Sequence, residues 1–156
     1  MRSTLSHIGA GALALVALLA PLPALACTLN VTSSGTLRNS LDNTVLGSQV
    51  NGNTPGTVAI LLSLLEGPTV TVDPPTLVQS PAGYNAGLET REVSYNVASL
   101  GIFPGASQPY TTSSSSFSTG ILGLVTLTMT LHNRVNNANG FAPGTYTTRT
   151  VVTCHP

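Results

Sequence analysis

Few side chains in this chain are able to do chemistry. Histidine occurs at positions 7, 132 and 155, and cysteine only at 27 and 154. A nucleophilic hydroxyl needs a base beside it and a further group to orient that base. Serines are abundant, but no G-x-S-x-G elbow is present. His132 falls on the polar side of an alternating segment, and His155 is next to the last residue. Glycoside hydrolysis needs two carboxyl groups facing each other across a sugar. Glu89 and Glu92 are close in sequence, but with Arg91 between them they read as a solvated strand start. Asp42 and Asp73 sit in turn-rich segments and suit Asx turns. Neither C-x-x-C nor H-x-x-x-H occurs, so no metal and no other cofactor is expected. No residue is assigned a catalytic role, and the chain reads as a non-enzyme. A secreted hydrolase stands third among the readings and would require His132 beside a serine and a carboxylate in one cleft.

The elements around the cysteines say more. Arg2 is followed by an apolar run over 11–20, then by Pro21, Pro23 and the small-residue site Ala24-Leu25-Ala26. This is the layout of a secretory signal peptide over 1–26, with cleavage just before Cys27. The run is about half the ~20 residues needed to span a bilayer, and no second one of that length follows, so no transmembrane segment is expected in the mature chain. Lipidation of Cys27 is an alternative fate, although Leu25 lies one place too close to the cysteine for a lipoprotein box. Two cysteines in an exported chain are expected to pair, and Cys27–Cys154 would tie the beginning of the domain to its end.

Charged residues make up only 6% of the 156, against ~25% in ordinary soluble domains, and lysine is absent. Without a basic stripe, nucleic acid is excluded as a partner. A near-neutral surface rich in Thr, Ser and Asn resists association poorly, so self-association or contact with other surface proteins is expected. Hydrophobic residues reach 42%, which does not fit the signature of disorder.

Glycine and proline punctuate short segments rich in Val, Leu, Ile and Thr, a pattern of strands and turns. Residues 27–32 alternate, with Cys27, Leu29 and Val31 on one face. Residues 57–65 are apolar on both faces and read as a central strand. Thr69 to Val72 forms another strand, ended by Pro74-Pro75. Val93, Tyr95 and Val97 share an inward face. The segment 121–132 gives the clearest strand, with Val125, Leu127, Met129 and Leu131 pointing one way. In the last strand, 145–154, Tyr146, Thr148, Thr150, Val152 and Cys154 share one face, and Thr147, Arg149 and Val151 the other. Residues 98–120, with two prolines and a serine run, read as a mobile exposed loop with room for one short strand around Pro109-Tyr110. Phe103, Tyr110 and Phe117 make it the candidate contact region. The expected fold is all-β: an antiparallel β-sandwich of about seven or eight strands forming a single secreted domain over 27–156, with a closed barrel as the alternative.

Three segments carry a resemblance: Cys27-Thr-Leu-Asn-Val-Thr, Gly56-Thr-Val-Ala-Ile60, and Pro143-Gly-Thr-Tyr146-Thr-Thr-Arg-Thr-Val-Val-Thr-Cys154. They resemble the exported bacterial β-sandwich proteins that include fimbrial (pilin-like) and spore-coat-U-like subunits. The resemblance implies an immunoglobulin-like sandwich with a structural or adhesive role, secreted, periplasmic or at the cell surface. Subunits that exchange donor strands carry an arm before their first cysteine. Here the mature chain is expected to begin at Cys27 and to contain its own last strand, which favours a self-complete domain. A carbohydrate- or ligand-binding adhesion module is the alternative, with a glycan as partner.

Overall fold

A computed structural model describes residues 27–50, 52–63 and 67–156. The expected signal peptide, and Leu64 and Leu65 of the expected central strand, lie outside the described residues. Within them the chain is all-β, with no helix. Twelve strands follow in order: β1 (Cys27–Ser33), β2 (Arg38–Asn39), β3 (Val45–Gly47), β4 (Gly56–Leu62), β5 (Thr69–Val72), β6 (Thr76–Gln79), β7 (Glu89–Val97), β8 (Ala106–Thr111), β9 (Ser115–Ser118), β10 (Thr126–Asn137), β11 (Thr147–Arg149) and β12 (Val152–His155).

β10 organises the large sheet. Along one edge it pairs first with β4 and then with β3; along the other it pairs with β7. β1 extends the sheet beyond β4, β2 beyond β3, and β8 beyond β7, giving seven strands, all antiparallel. Two smaller sheets, β12-β5-β9 and β11-β6, hold the rest. They are one antiparallel pairing interrupted at Pro74-Pro75: β5 leads into β6, β11 leads into β12, and the Asp73 amide still donates to the Val151 carbonyl at 3.0 Å. Proline has no N–H to give to the ladder, so it breaks the strand without ending its direction. No sheet of the described residues closes into a barrel.

Alternation decides what is buried. Val58, Ile60 and Leu62 of β4, Val93, Tyr95 and Val97 of β7, and Leu127, Met129 and Leu131 of β10 meet Val70 and Val72 of β5 in the main core. A second cluster joins Leu46, Val135 and Phe141, with Leu37, Tyr84 and Tyr146 packed on it. Tyr84 stacks on Phe141 at 5.7 Å, and Tyr146 meets both rings edge-on. Between Leu131 and Val135, on the same inward face, stands the polar Asn133. Its amide nitrogen donates to the Thr148 hydroxyl at 3.1 Å, and its carbonyl accepts from the Thr150 hydroxyl at 2.8 Å.

Two sequence expectations are corrected. The clearest strand begins at Thr126 rather than at residue 121, and it runs on past His132 to Asn137. Asn137 is 1% exposed, because its side chain donates to the Tyr84 hydroxyl and the Asn85 carbonyl and accepts from the Asn139 amide. Buried amides with all their partners are compatible with a strand interior. The second correction concerns 98–120, which is not one long loop: the short strand expected around Pro109-Tyr110 is present, and a second strand follows it. It contains β8 and β9, each at a sheet edge, where Pro109 of β8 is tolerated.

Candidate functional site

Cys27 and Cys154 form a disulfide with Cα atoms 6.3 Å apart, as the sequence leads one to expect. The bond joins the start of β1, at one edge of the large sheet, to β12, at one edge of the three-stranded sheet. Among the described residues β1 pairs only with β4, β12 only with β5, and β11 only with β6. Each therefore keeps one edge without a ladder partner.

Away from the disulfide, a groove of about 760 Å³ opens between these edges. One wall runs from Leu29 and Val31 of β1 through 33–37; the other runs from Tyr146 to Val152. Val58 and Leu131 lie deeper, and the Asn133–Thr148–Thr150 network forms a polar step. Val31 is 66% exposed although it shares a face with Leu29. The last strand shows the expected alternation, with Tyr146, Thr148, Thr150, Val152 and Cys154 half-buried and Thr147, Arg149 and Val151 exposed. Among the described residues that strand does not pair with β1. The sequence held one signal of this: the inward face of the last strand carries threonines at 148 and 150 where a dry core would carry Val or Ile.

The candidate contact aromatics are turned inward or covered. Phe103 is 3% exposed. Phe117 packs against the main core beside Tyr95 and Phe103. Tyr110 is half-buried, with the Arg134 guanidinium 3.9 Å from its ring centre. Arg134 is held there by an ion pair with Glu92 at 2.8 Å, and Asn136 donates to the same carboxylate at 2.6 Å. The Arg134 hydrogen bond, then that of Asn136, outweigh burial and keep the Glu92 carboxyl below its usual range. Tyr84 is pushed up to about 12 by burial and by its hydrogen bond to Glu89, a carboxylate that also pairs with Arg91.

The structure brings a serine to His132: Ser48 Oγ and His132 Nδ1 are 3.2 Å apart. Among the described residues no carboxylate hydrogen-bonds the ring, and the nearby Glu92 is engaged by Arg134 and Asn136. The pair lacks the orienting acid of a triad. The His155 ring lies 3.2 Å from the Thr153 hydroxyl. Among the described residues there is no group of three or more His, Cys, Asp or Glu able to hold a metal.

Burial lowers the pKa of His132 below its ordinary 6.5. The neutral ring is therefore the form the fold prefers. This contribution to stability is complete above about pH 6.5 and is lost as the pH falls through the folded-state value. The melting temperature is expected to fall as the pH is lowered below about 6.5, and His132→Gln to flatten that fall. An equal fall in the variant would contradict the assignment.

Comparison of the chain with protein-family models, with curated proteins and with solved structures finds no match.

Proposed function

We propose that this chain is a non-enzymatic, exported structural or adhesive protein of the bacterial surface, matrix or pilus. In this reading it is an immunoglobulin-like β-sandwich that associates with further copies by strand addition. The observation that carries the proposal is the groove between two unpaired strand edges. An extended segment entering it would pair with β1 on one side and with β11 and β12 on the other, and would place alternate side chains over Leu29, Val58 and Leu131. Natural sheets blunt exposed edges with charge, proline or bulges. β1 carries no charged residue and no proline; only a register shift between Val31 and Ser33 interrupts it.

A second copy of the chain suits this site by composition. With five basic and five acidic residues in the whole chain, self-repulsion is minimal. The outward face of the large sheet is also uncharged over Thr28, Asn30, Thr57, Thr126, Thr128 and Thr130, a surface of hydroxyls and amides suited to adhesion.

The test is sedimentation velocity of the exported protein at rising concentration, with electron microscopy of the same samples. The expected result is a concentration-dependent increase in mass, or filaments. Val31→Asp would weaken association at least about tenfold by placing a charge on the receiving edge, while circular dichroism and the disulfide stay unchanged. A wild-type protein that remains a monomer at every concentration contradicts the proposal.

A further inference from the structure

The groove between β1 and the last strand is uncharged but for one residue. Arg149 is the single charged side chain among those lining it. Among the described residues the ion pairs are Arg91–Glu89 and Arg134–Glu92, so Arg149 has no carboxylate partner within its own chain there. The same groove has an apolar floor of Leu29, Val58 and Leu131, with the exposed Val31 beside it. An occupant that matches it therefore brings an apolar side chain and a carboxylate close together.

The chain displays one such combination on its own surface. Leu41 is fully exposed, and the residue after it is Asp42. Leu88 also precedes an acid, but the Glu89 side chain is 2% exposed and is already held by Arg91 and Tyr84. No other exposed large apolar side chain among the described residues has a charged neighbour in sequence. Leu41 stands at the tip between β2 and β3, and that tip is tightly built. The Ser40 amide donates to the Val45 carbonyl at 2.7 Å, and the Asn43 amide to the Ser40 carbonyl at 3.1 Å. Asn43 takes the left-handed conformation, φ 60°, and its side chain donates to the Phe141 carbonyl at 2.8 Å. The Ser40 and Thr44 hydroxyls donate to the Asp42 carboxylate and hold it below its usual range, so it stays charged. These bonds present Leu41 outward on a tip with little ordering left to lose on binding.

We propose that the Leu41–Asp42 tip of one copy enters the groove of a second copy, with Leu41 over Leu29, Val58 and Leu131 and with Asp42 on Arg149. Such docking rests on the groove being the acceptor of a second copy, as proposed above, and it names the part of that copy that enters. β2, beside the tip, pairs only with β3 among the described residues, so its outer edge is open to β1 of the receiving copy. Tip and groove are different parts of the surface, so the contact is heterologous: each copy receives one tip and offers another. Repetition of such a contact builds a ring or an open filament rather than a two-fold dimer.

The test mixes two variants in sedimentation velocity, at a concentration where the wild-type protein associates. Val31→Asp has a charged groove and an intact tip; Leu41→Ser has an intact groove and a blunted tip. Each alone is expected to associate at least about tenfold more weakly than the wild type, and the mixture to form a one-to-one dimer and nothing longer. Leu41 is fully exposed, so its variant is expected to keep the circular dichroism and the disulfide of the wild type. Wild-type association is expected to weaken between about 0.05 and 0.5 M NaCl, and Arg149→Gln to remove that dependence. A Leu41→Ser protein that associates like the wild type, while Val31→Asp does not, overturns the docking of the tip and leaves the groove reading standing. So does a mixture that stays monomeric, or a salt dependence that Arg149→Gln retains. A wild-type protein that is monomeric at every concentration overturns both.

Discussion

The double variant Cys27→Ser/Cys154→Ser is expected to lose about 3–5 kcal/mol of folding stability in the chain-entropy picture. The cysteines are 127 residues apart, so the bond closes nearly the whole described chain. It also does what no ladder does. β1 ends the large sheet and β12 ends a small one, and among the described residues no strand pairing joins the two sheets. Packing, the side-chain hydrogen bonds of Asn133 with Thr148 and Thr150, and this bond hold the layers together. Urea unfolding of the oxidised protein and the double variant measures the difference. Equal midpoints with equal slopes would mean that the sheets hold each other without the bond.

Ile60→Ala is expected to cost about 2–5 kcal/mol. Ile60 is fully buried in the central strand β4, opposite Leu29 on one side and Leu127 on the other. Neither neighbour can move to fill the space, because each is fixed in its own ladder. Thr128→Ala, on the outward face of β10 opposite Ala59, is expected to stay within about 0.5 kcal/mol. Thermal unfolding of the pair separates the two faces of the sheet. A Thr128 variant as damaged as the Ile60 variant would mean that the inward and outward faces are misassigned.

These faces were legible from alternation alone. Val93, Tyr95 and Val97, and Leu127, Met129 and Leu131, are buried as their period of two requires. The disulfide was legible for the same reason, since both cysteines fall on inward faces of terminal strands. The extension of β10 to Asn137 was not legible, because its stability comes from side-chain amides that find partners on distant segments, Asn133 with Thr148 and Thr150, and Asn137 with Tyr84 and Asn85. β9 was hidden likewise: three of its four residues are serines, and its place is set by pairing with β5 and by the single inward Phe117. Residues 121–125 misled in the opposite way. They are as apolar as a strand, yet Ile121 and Leu124 face solvent. The groove escaped the sequence because it depends on which edges stay unpaired, a property of topology rather than of local pattern.

Strand addition and the covalent tie are linked. By fixing one end of the gap between β1 and β12, the disulfide keeps the two edges from separating while leaving the rest of the groove open. Hydrogen exchange measured below and above the concentration of association tests this most directly. The account predicts that amides of residues 29–33 and 148–152 become protected when the protein associates, and lose that protection in Val31→Asp. Association that leaves both segments exchanging at monomer rates, with protection arising elsewhere on the molecule, would contradict it.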